Sequence, residues 1–237
     1  MKLCQPNLPI NKVKCVFISE IMPDIIKENL RNMGIETVDA PPCKTLNSEL
    51  AYHPDIVLNN PKIGIWYSAG DINMNKLLTK GAAVLNDKYP NDCLYNCFTI
   101  GDTLYGGRAV AEEIVRECKN RIVVAQGYTK CSTVMLSETD FITSDPSVYK
   151  VLAAEGKNVL KTTNEGILLN GFSCGFIGGC TGVLGNKILA VTGKKELLGD
   201  YQNINSFCKN IGYGVISLSS EQPYDYGGIL PITEEDY

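Results

Sequence analysis

The segment KCSTVMLSETDFITSD (130–145) holds a polar cluster, a short apolar strand, a tight turn and a second strand, and this plan recurs along the chain. Further copies are YHPDIVLNNPKIGIWYS (52–68), CLYNCFTIGDTLYGG (93–107), GGCTGVLGNKILAVTG (178–193) and the truncated DYGGILPI (225–232). We expect their first strands to begin near Ile56, Cys97, Val134, Val183 and Ile229. Repetition at a period of roughly 20–50 residues is typical of solenoids, propellers and arrays. Each copy would bring its polar cluster to one shared place, which is the candidate site.

A helix and a strand are predicted between successive hairpins. In MPDIIKENLRNMG (22–34), Ile26 and Leu30 share one helix face and Gly34 is a stop signal. The same pattern predicts a helix at INMNKLLTKG followed by a strand at AAVL (72–85), and recurs at 109–125, 146–160 and 201–218. We therefore expect one α/β domain, residues 1–237, of about five helix-strand-hairpin modules around a pseudo-five-fold axis. A linear two-layer α/β sandwich is the alternative, because alternating helices and strands do not separate the two.

The composition argues against several classes of partner. The 237 residues include 22 Lys and Arg against 26 Asp and Glu, a net charge of −4, and no run of basic residues. Nucleic-acid binders need clustered cations, so we expect no nucleic-acid partner. No apolar run approaches the ~20 residues that span a bilayer. No secretory signal is visible either, so we expect no membrane association and a cytoplasmic location.

The ten cysteines favour neither disulfides nor zinc. Without an export signal, and in a chain long enough to form a sizeable core, reduced thiols are expected. There is no CxxC, and a single histidine leaves few other zinc ligands. The glycine-rich segment GFSCGFIGGCTG (171–182) matches neither nucleotide-binding fingerprint. We expect no metal and no cofactor; a metal site of His53, Asp55 and axial cysteines is the alternative.

The only histidine, His53, lies in the cluster YHPD at the head of the first hairpin. Asp55 is two residues away, the same-face spacing of a strand, so its carboxylate is expected to orient the imidazole. Pro54 favours an extended His53. Cys131 and Cys180 stand at the corresponding position of other modules, and a nearby imidazolium favours the nucleophilic thiolate. Either thiol could instead be a small residue packed near a crowded axis.

Other polar side chains occupy matching positions. The carboxylates are Asp225, Asp145, Glu49 and Glu165, and the amides that could supply neutral hydrogen bonds are Asn96, Asn164 and Asn170. Solvation at the surface is the usual state of a carboxylate, and it is the alternative for each of these acids.

The motifs His53-Pro-Asp55 and Cys131-Ser-Thr, set in repeated hairpins, resemble those of the guanidino-group-modifying enzymes. These are the arginine and agmatine deiminases, the amidinotransferases and the dimethylarginine hydrolases, and the chain resembles a bacterial branch of them. The resemblance implies a five-bladed α/β propeller, the pentein fold. It also implies a Cys-dependent hydrolase or transferase acting on a small guanidino or amidino compound through a covalent thiouronium intermediate. Cys131 would be the nucleophile and His53, with Asp55 beside it, the acid and base.

Carboxylates pair with the planar guanidinium in that family, and Asp225 and Glu165 are expected to do so here, with Asn96 and Cys180 as further substrate contacts. The family differs from this chain in two features: its carboxylate motifs have no clear counterpart here, and the position of its nucleophile is different. Its nucleophile lies near the C-terminus, so a mid-chain Cys131 requires a circular shift of modules, and Cys180 is the alternative nucleophile. The same fold serves a ribosome-binding initiation factor without catalysis. The alternative function is an inactive propeller that binds a small metabolite or a protein partner.

Overall fold

The computed structural model describes residues 1–70 and 77–236. Over these residues the helices are α1 (Asp24–Asn32), α2 (Pro54–Val57), α3 (Glu112–Glu117), α4 (Pro146–Ala154) and α5 (Tyr201–Asn210), with a 3₁₀ turn at Lys195–Leu197. The strands form five small sheets. One sheet has four strands, in the order β1 (Lys2–Leu3), β16 (Leu230–Glu234), β2 (Val13–Ile18) and β3 (Glu36–Asp39).

The other four sheets have three strands each. They are β4 (Leu58–Lys62), β5 (Ile65–Ser68) and β6 (Leu78–Lys80); β7 (Phe98–Ile100), β8 (Thr103–Gly106) and β9 (Asn120–Val123); β10 (Thr133–Met135), β11 (Asp140–Thr143) and β12 (Asn158–Lys161); and β13 (Thr181–Val183), β14 (Ile188–Val191) and β15 (Gly214–Ser217).

All five sheets follow one plan. An antiparallel hairpin supplies two strands, and the third strand lies parallel to the second. The helices α1, α3, α4 and α5 each lie in a crossover between the two parallel strands. In the four-stranded sheet the hairpin is replaced by β16 and β2, which come from the two ends of the chain and pair antiparallel. The fold is therefore mixed α/β, as expected from the sequence.

The four complete predicted hairpins are confirmed, and their first strands begin at residues 58, 98, 133 and 181. The truncated fifth copy holds strand β16, which begins at residue 230 and pairs with β2. The module between β5 and β7 differs from the prediction. The first half of the helix predicted over 72–81, residues 72–76, lies outside the described residues, and the second half contains strand β6, paired with β5. The strand predicted over 82–85 is absent, because the N–H groups of Ala82 and Ala83 donate to the carboxylate of Glu113 instead (2.8 and 3.1 Å).

The core brings the modules together. In the largest buried cluster the ring of Phe17, from β2, packs edge-on against Trp66, from β5, with centroids 5.1 Å apart. Tyr95, Leu230 and Cys131 belong to the same cluster, so its members come from four of the sheets or from the segments that lead into them. No helix in the described part of the chain is long and apolar enough to span a bilayer.

Candidate active site

His53 and Asp55 flank the start of a single helical turn. His53 precedes α2 and has extended backbone angles (φ −78°, ψ 111°), as the following proline predicts. The predicted strand geometry for Asp55 is wrong, because Pro54 at the first helical position begins α2 there. The amide of Asp55 donates to the carbonyl of Gly227 (3.1 Å), which lies in the loop before β16. Both residues are buried, with only 1 % of their surface exposed.

Asp225 reaches the same place from the loop before β16. Its Oδ1 lies 3.6 Å from Nδ1 of His53, and it is also 1 % exposed. The amides of Phe176 and Gly227 donate to its two carboxylate oxygens (2.8 and 2.9 Å). A Cβ at position 179 would lie 1.8 Å from Oδ1, so only glycine fits against this carboxylate.

Cys131 lies two residues before β10, and its thiol is held by Asn96 from the module before it. The side-chain amide of Asn96 donates to Sγ of Cys131 (2.9 Å) and to the carbonyl of Asp55 (2.8 Å). Its oxygen accepts from the amides of Lys130 and Cys131 (2.7 and 3.1 Å). Asn96 thus connects the cysteine to the turn that carries Asp55.

The charges at this place are strongly coupled. Burial raises the pKa of Asp55, and the carboxylate of Asp225 raises it further, while His53 and Lys130 oppose the shift. Burial also raises the pKa of Cys131 well above its ordinary value, and Asp55 and Asp225 add to this. The pKa of the Lys130 ammonium is lowered by burial, although Asp55, Cys131 and Asp225 favour its charge. Two carboxylates, a thiol and an imidazole therefore share one interior region, with the ammonium of the half-buried Lys130 near them.

Four buried polar atoms here make no hydrogen bond to any described residue. They are the two ring nitrogens of His53 and the two carboxylate oxygens of Asp55. Buried polar atoms in native proteins almost always have a partner, which is protein, water or a ligand. The combination of unsatisfied atoms on an acid and a potential base is therefore a mark of a site that binds something.

Cys180 lies one position out of step with Cys131. The amide of Thr192 donates to the carbonyl of Cys180 as that of Ser144 does to Ser132, so Cys180 is the counterpart of Ser132. Its side chain is fully buried in an apolar cluster and its Sγ faces the carbonyl of Ile177 (3.5 Å). Burial and, next, the charge of Asp225 raise its pKa.

The structure places the other predicted acids differently. Glu165 is exposed, and its side chain lies against Gly199. Asp145 caps α4 by accepting from the amides of Ser147 and Val148 (2.7 and 3.0 Å). Lys130 is the site residue absent from the prediction, although its place directly before Cys131 was the available signal. In the described ranges, no three His, Cys, Asp or Glu side chains are arranged to hold a metal ion.

Comparison with known proteins identifies a family and a fold. Residues 17–230 match a family of unknown function (DUF6873). No curated protein matches the sequence. Among solved structures, the chain is similar to the inosamine-phosphate amidinotransferase StrB1 of Streptomyces griseus, with a TM-score of 0.61 and 9 % identity over 100 % of this chain and 98 % of that one.

Two further structures agree. The amidinotransferase SxtG from the saxitoxin pathway of Microseira wollei gives a TM-score of 0.56 with 9 % identity, covering 100 % of this chain and 98 % of that one. Agmatine deiminase of C. jejuni gives 0.51 with 10 % identity, covering 92 % and 90 %. At such identities the likeness shows the fold alone, and it confirms the mixed α/β fold that the resemblance implied. The chain belongs to the family DUF6873 and has the α/β fold of the guanidino-group-modifying enzymes.

Proposed function

We propose that the protein is a Cys-dependent hydrolase or transferase that acts on a small guanidino or amidino compound. Cys131 is the nucleophile, His53 is the acid and base, and Asp55 and Asp225 hold the planar cation. The observation that carries the proposal is the meeting of these four side chains, each at most 2 % exposed, with unsatisfied atoms on His53 and Asp55. Glu165 is left out of this assignment because it is exposed beside Gly199.

We also propose that the five sheets are the blades of a closed propeller with pseudo-five-fold symmetry. A circuit of hydrogen bonds through all five modules supports this. Its members are Asp55 N to Gly227 O (3.1 Å), Asn96 Nδ2 to Asp55 O (2.8 Å), Cys131 N to Asn96 Oδ1 (3.1 Å), Gly178 N to Cys131 O (2.7 Å) and Gly228 N to Gly179 O (2.7 Å). The pairing of β16 with β2 would close the ring within one blade, whose strands come from the two ends of the chain. The site residues then lie at one end of the axis.

The reaction proceeds in two displacements. The thiolate of Cys131 attacks the guanidinium carbon and forms a C–S bond, and His53 protonates the departing amine as the C–N bond breaks. The remaining thiouronium carbon is attacked by water, whose proton passes to His53. Cleavage of the C–S bond then releases a ureido product and returns the thiolate. In a transferase an acceptor amine takes the place of water.

The substrate itself would activate the nucleophile. Without it, burial, Asp55 and Asp225 raise the pKa of Cys131, so the thiol form prevails. A guanidinium bound between these groups adds a positive charge beside the sulfur. At about 4 Å and an effective dielectric constant of about 20, one such charge contributes about 4 kcal/mol, which lowers a pKa by about 3. A cationic substrate is thus matched to this site, whereas an anionic one would meet two carboxylates.

One observation favours the alternative function, an inactive protein that binds a metabolite or partner. The same burial that gathers the four side chains leaves Cys131 protonated and 2 % exposed in this structure. Catalysis therefore requires the part of the protein that covers Cys131 to open for a substrate. A protein that only binds would leave Cys131 unmodified by every guanidino compound.

The test is turnover combined with trapping of the adduct. The purified protein is incubated with a panel of small guanidino amines and guanidino acids, and released ammonia or amine and ureido product are measured. Rapid acid quenching followed by peptide mass spectrometry looks for the amidino adduct on Cys131. Turnover of at least one compound with the adduct on Cys131 is expected.

The control compares two cysteine variants. Cys131→Ser should abolish both turnover and adduct, whereas Cys174→Ser, at a partly exposed thiol, should leave both unchanged. The proposal fails if no compound is turned over and none modifies Cys131, or if the adduct forms on another cysteine.

A further inference from the structure

Asn96 uses every hydrogen-bonding group of its side chain within the protein. An asparagine amide has two N–H donors and an oxygen with two lone pairs. Here Nδ2 donates to the Cys131 sulfur and the Asp55 carbonyl, and Oδ1 accepts from the Lys130 and Cys131 amides. The side chain is 0 % exposed. No donor or acceptor is left for a substrate.

The orientation of this amide is fixed by its neighbours. Two backbone N–H groups, those of Lys130 and Cys131, point at one end of it, and only the oxygen can accept both. The nitrogen must then face the Asp55 carbonyl, which is an acceptor only, and Sγ of Cys131 at 2.9 Å. The sulfur therefore receives a hydrogen bond from Asn96 and does not donate one to it.

We infer that Asn96 is a positioning residue of the active site, which holds the Cys131 sulfur in place and stabilises its ionised form. The inference rests on the proposed role of Cys131 as the nucleophile. It assigns Asn96 to the nucleophile instead of the substrate. It also gives a physical reason for a fully buried polar side chain at this junction of two modules.

The effect of Asn96 opposes the other influences on the sulfur. Burial and the carboxylates of Asp55 and Asp225 raise the pKa of Cys131, and the Asn96 hydrogen bond lowers it, because a donor binds a thiolate more strongly than a thiol. The other titratable groups at this place are Lys130, Tyr128 and His53.

A nearly isosteric substitution tests this. Asn96→Asp keeps an acceptor for the two backbone amides but in its ionised form loses the donor to the sulfur. The rate at which a small neutral electrophile modifies Cys131 is followed by mass spectrometry across a pH series. Each rate is divided by the hydrogen-exchange rate of the Ser132 amide, so that differences in local opening cancel. Loss of a hydrogen bond to a charged group, together with the negative charge that the variant adds beside the sulfur, should slow modification by about tenfold or more at a given pH.

Asn59 supplies the matched control. It is also buried, and its Nδ2 donates to the carbonyls of Tyr95 and Cys97 and to the Cys97 sulfur (3.3 Å). Asn59→Asp should leave the profile of Cys131 in place. The inference would be overturned if the pH dependence of the Cys131 modification rate in Asn96→Asp superimposed on that of the wild type, or moved to lower pH.

A measurement on the wild-type protein covers the case in which Asn96→Asp does not fold. The side-chain amide resonances of Asn96 should shift in the NMR spectrum when Cys131 is alkylated, and those of Asn59 should not. Unchanged Asn96 resonances would equally overturn the inference. Neither readout uses a guanidino compound, so failure of the proposed reaction and failure of this assignment are separate results.

Discussion

Replacing Asp55 by asparagine should stabilise the fold while abolishing the proposed activity. The carboxylate of Asp55 is 1 % exposed and neither oxygen makes a hydrogen bond to a described residue. Burial and the like charge of Asp225 disfavour its ionised form more than His53 and Lys130 favour it, because the net result is a raised pKa. An amide of the same shape removes that charge and leaves the surrounding packing intact.

The expected gain follows from the cost of a buried group without partners. Leaving one unsatisfied costs about 1–3 kcal/mol for a neutral group and more for a charged one. We expect the additional cost of the charge to be of the same order, so that exchanging the charged group for the neutral one should stabilise the protein by about 1–3 kcal/mol near neutral pH. For a chain of this length each kcal/mol corresponds to about 2–4 °C in Tm, so a rise of roughly 2–12 °C is expected.

The assay is thermal unfolding of both proteins across a pH series. Because the pKa of Asp55 is higher in the folded than in the unfolded chain, ionisation of this group weakens the fold. The stabilising contribution of the protonated group is complete below its pKa in the unfolded chain, which is about 4. This contribution is lost as the pH rises through its pKa in the folded chain. The difference in Tm between Asp55→Asn and the wild type should therefore be near zero at low pH and grow as the pH rises.

Asp145→Asn is the control, because the carboxylate of Asp145 is satisfied by the amides at the start of α4. Asparagine is also a good cap, so this change should not raise the Tm. The reasoning is refuted if Asp55→Asn is less stable than the wild type at neutral pH. It is refuted equally if the difference in Tm is independent of pH.

Three further predictions concern the same region. Cys180→Ala should retain turnover of any guanidino compound that the wild type accepts, measured as initial rate. Loss of turnover in this variant would indicate that Cys180 is the nucleophile. Gly179→Ala should lower stability by about 1–3 kcal/mol and abolish turnover, because the new Cβ collides with Asp225. Gly214→Ala, which has open space, should stay within about 0.5 kcal/mol of the wild type by thermal unfolding. Asp225→Asn should lower the pKa of Cys131, seen as faster alkylation at a fixed pH, and an unchanged rate would contradict the assigned charge coupling.

Several elements of the fold could be predicted from the sequence because residues close together along the chain determine them. The hairpin of 130–145 became β10 and β11, and the amphipathic segment of 22–34 became α1. The exception between β5 and β7 has a long-range cause. Glu113, far along the chain, takes the amides of Ala82 and Ala83 that a strand would have used.

The candidate site was only partly accessible. His53, Asp55, Cys131 and Asp225 could be selected because their chemistry is specific and they recur at the heads of hairpins. The helical turn at Asp55 had a local signal in Pro54, which is favoured at the first helical position. The hydrogen bond from the amide of Asp55 to the carbonyl of Gly227, near the other end of the chain, depends on the fold. The offset of Cys180 by one residue from the position equivalent to Cys131 likewise depends on the backbone pairing within its own hairpin. The amino-acid sequence does not specify that register.

The sequence by itself determined the repeated unit and the residue types available for chemistry, since turns, strand alternation and helix periodicity act over a few residues. The tertiary structure alone decided which polar side chains meet and which charges go unbalanced. Asn96 shows the difference: by sequence it is one of several amides, and in the fold its four hydrogen bonds tie Cys131 to the turn of Asp55. Contacts of this kind depend on how separate modules pack, and burial then sets the strength of every charge between them.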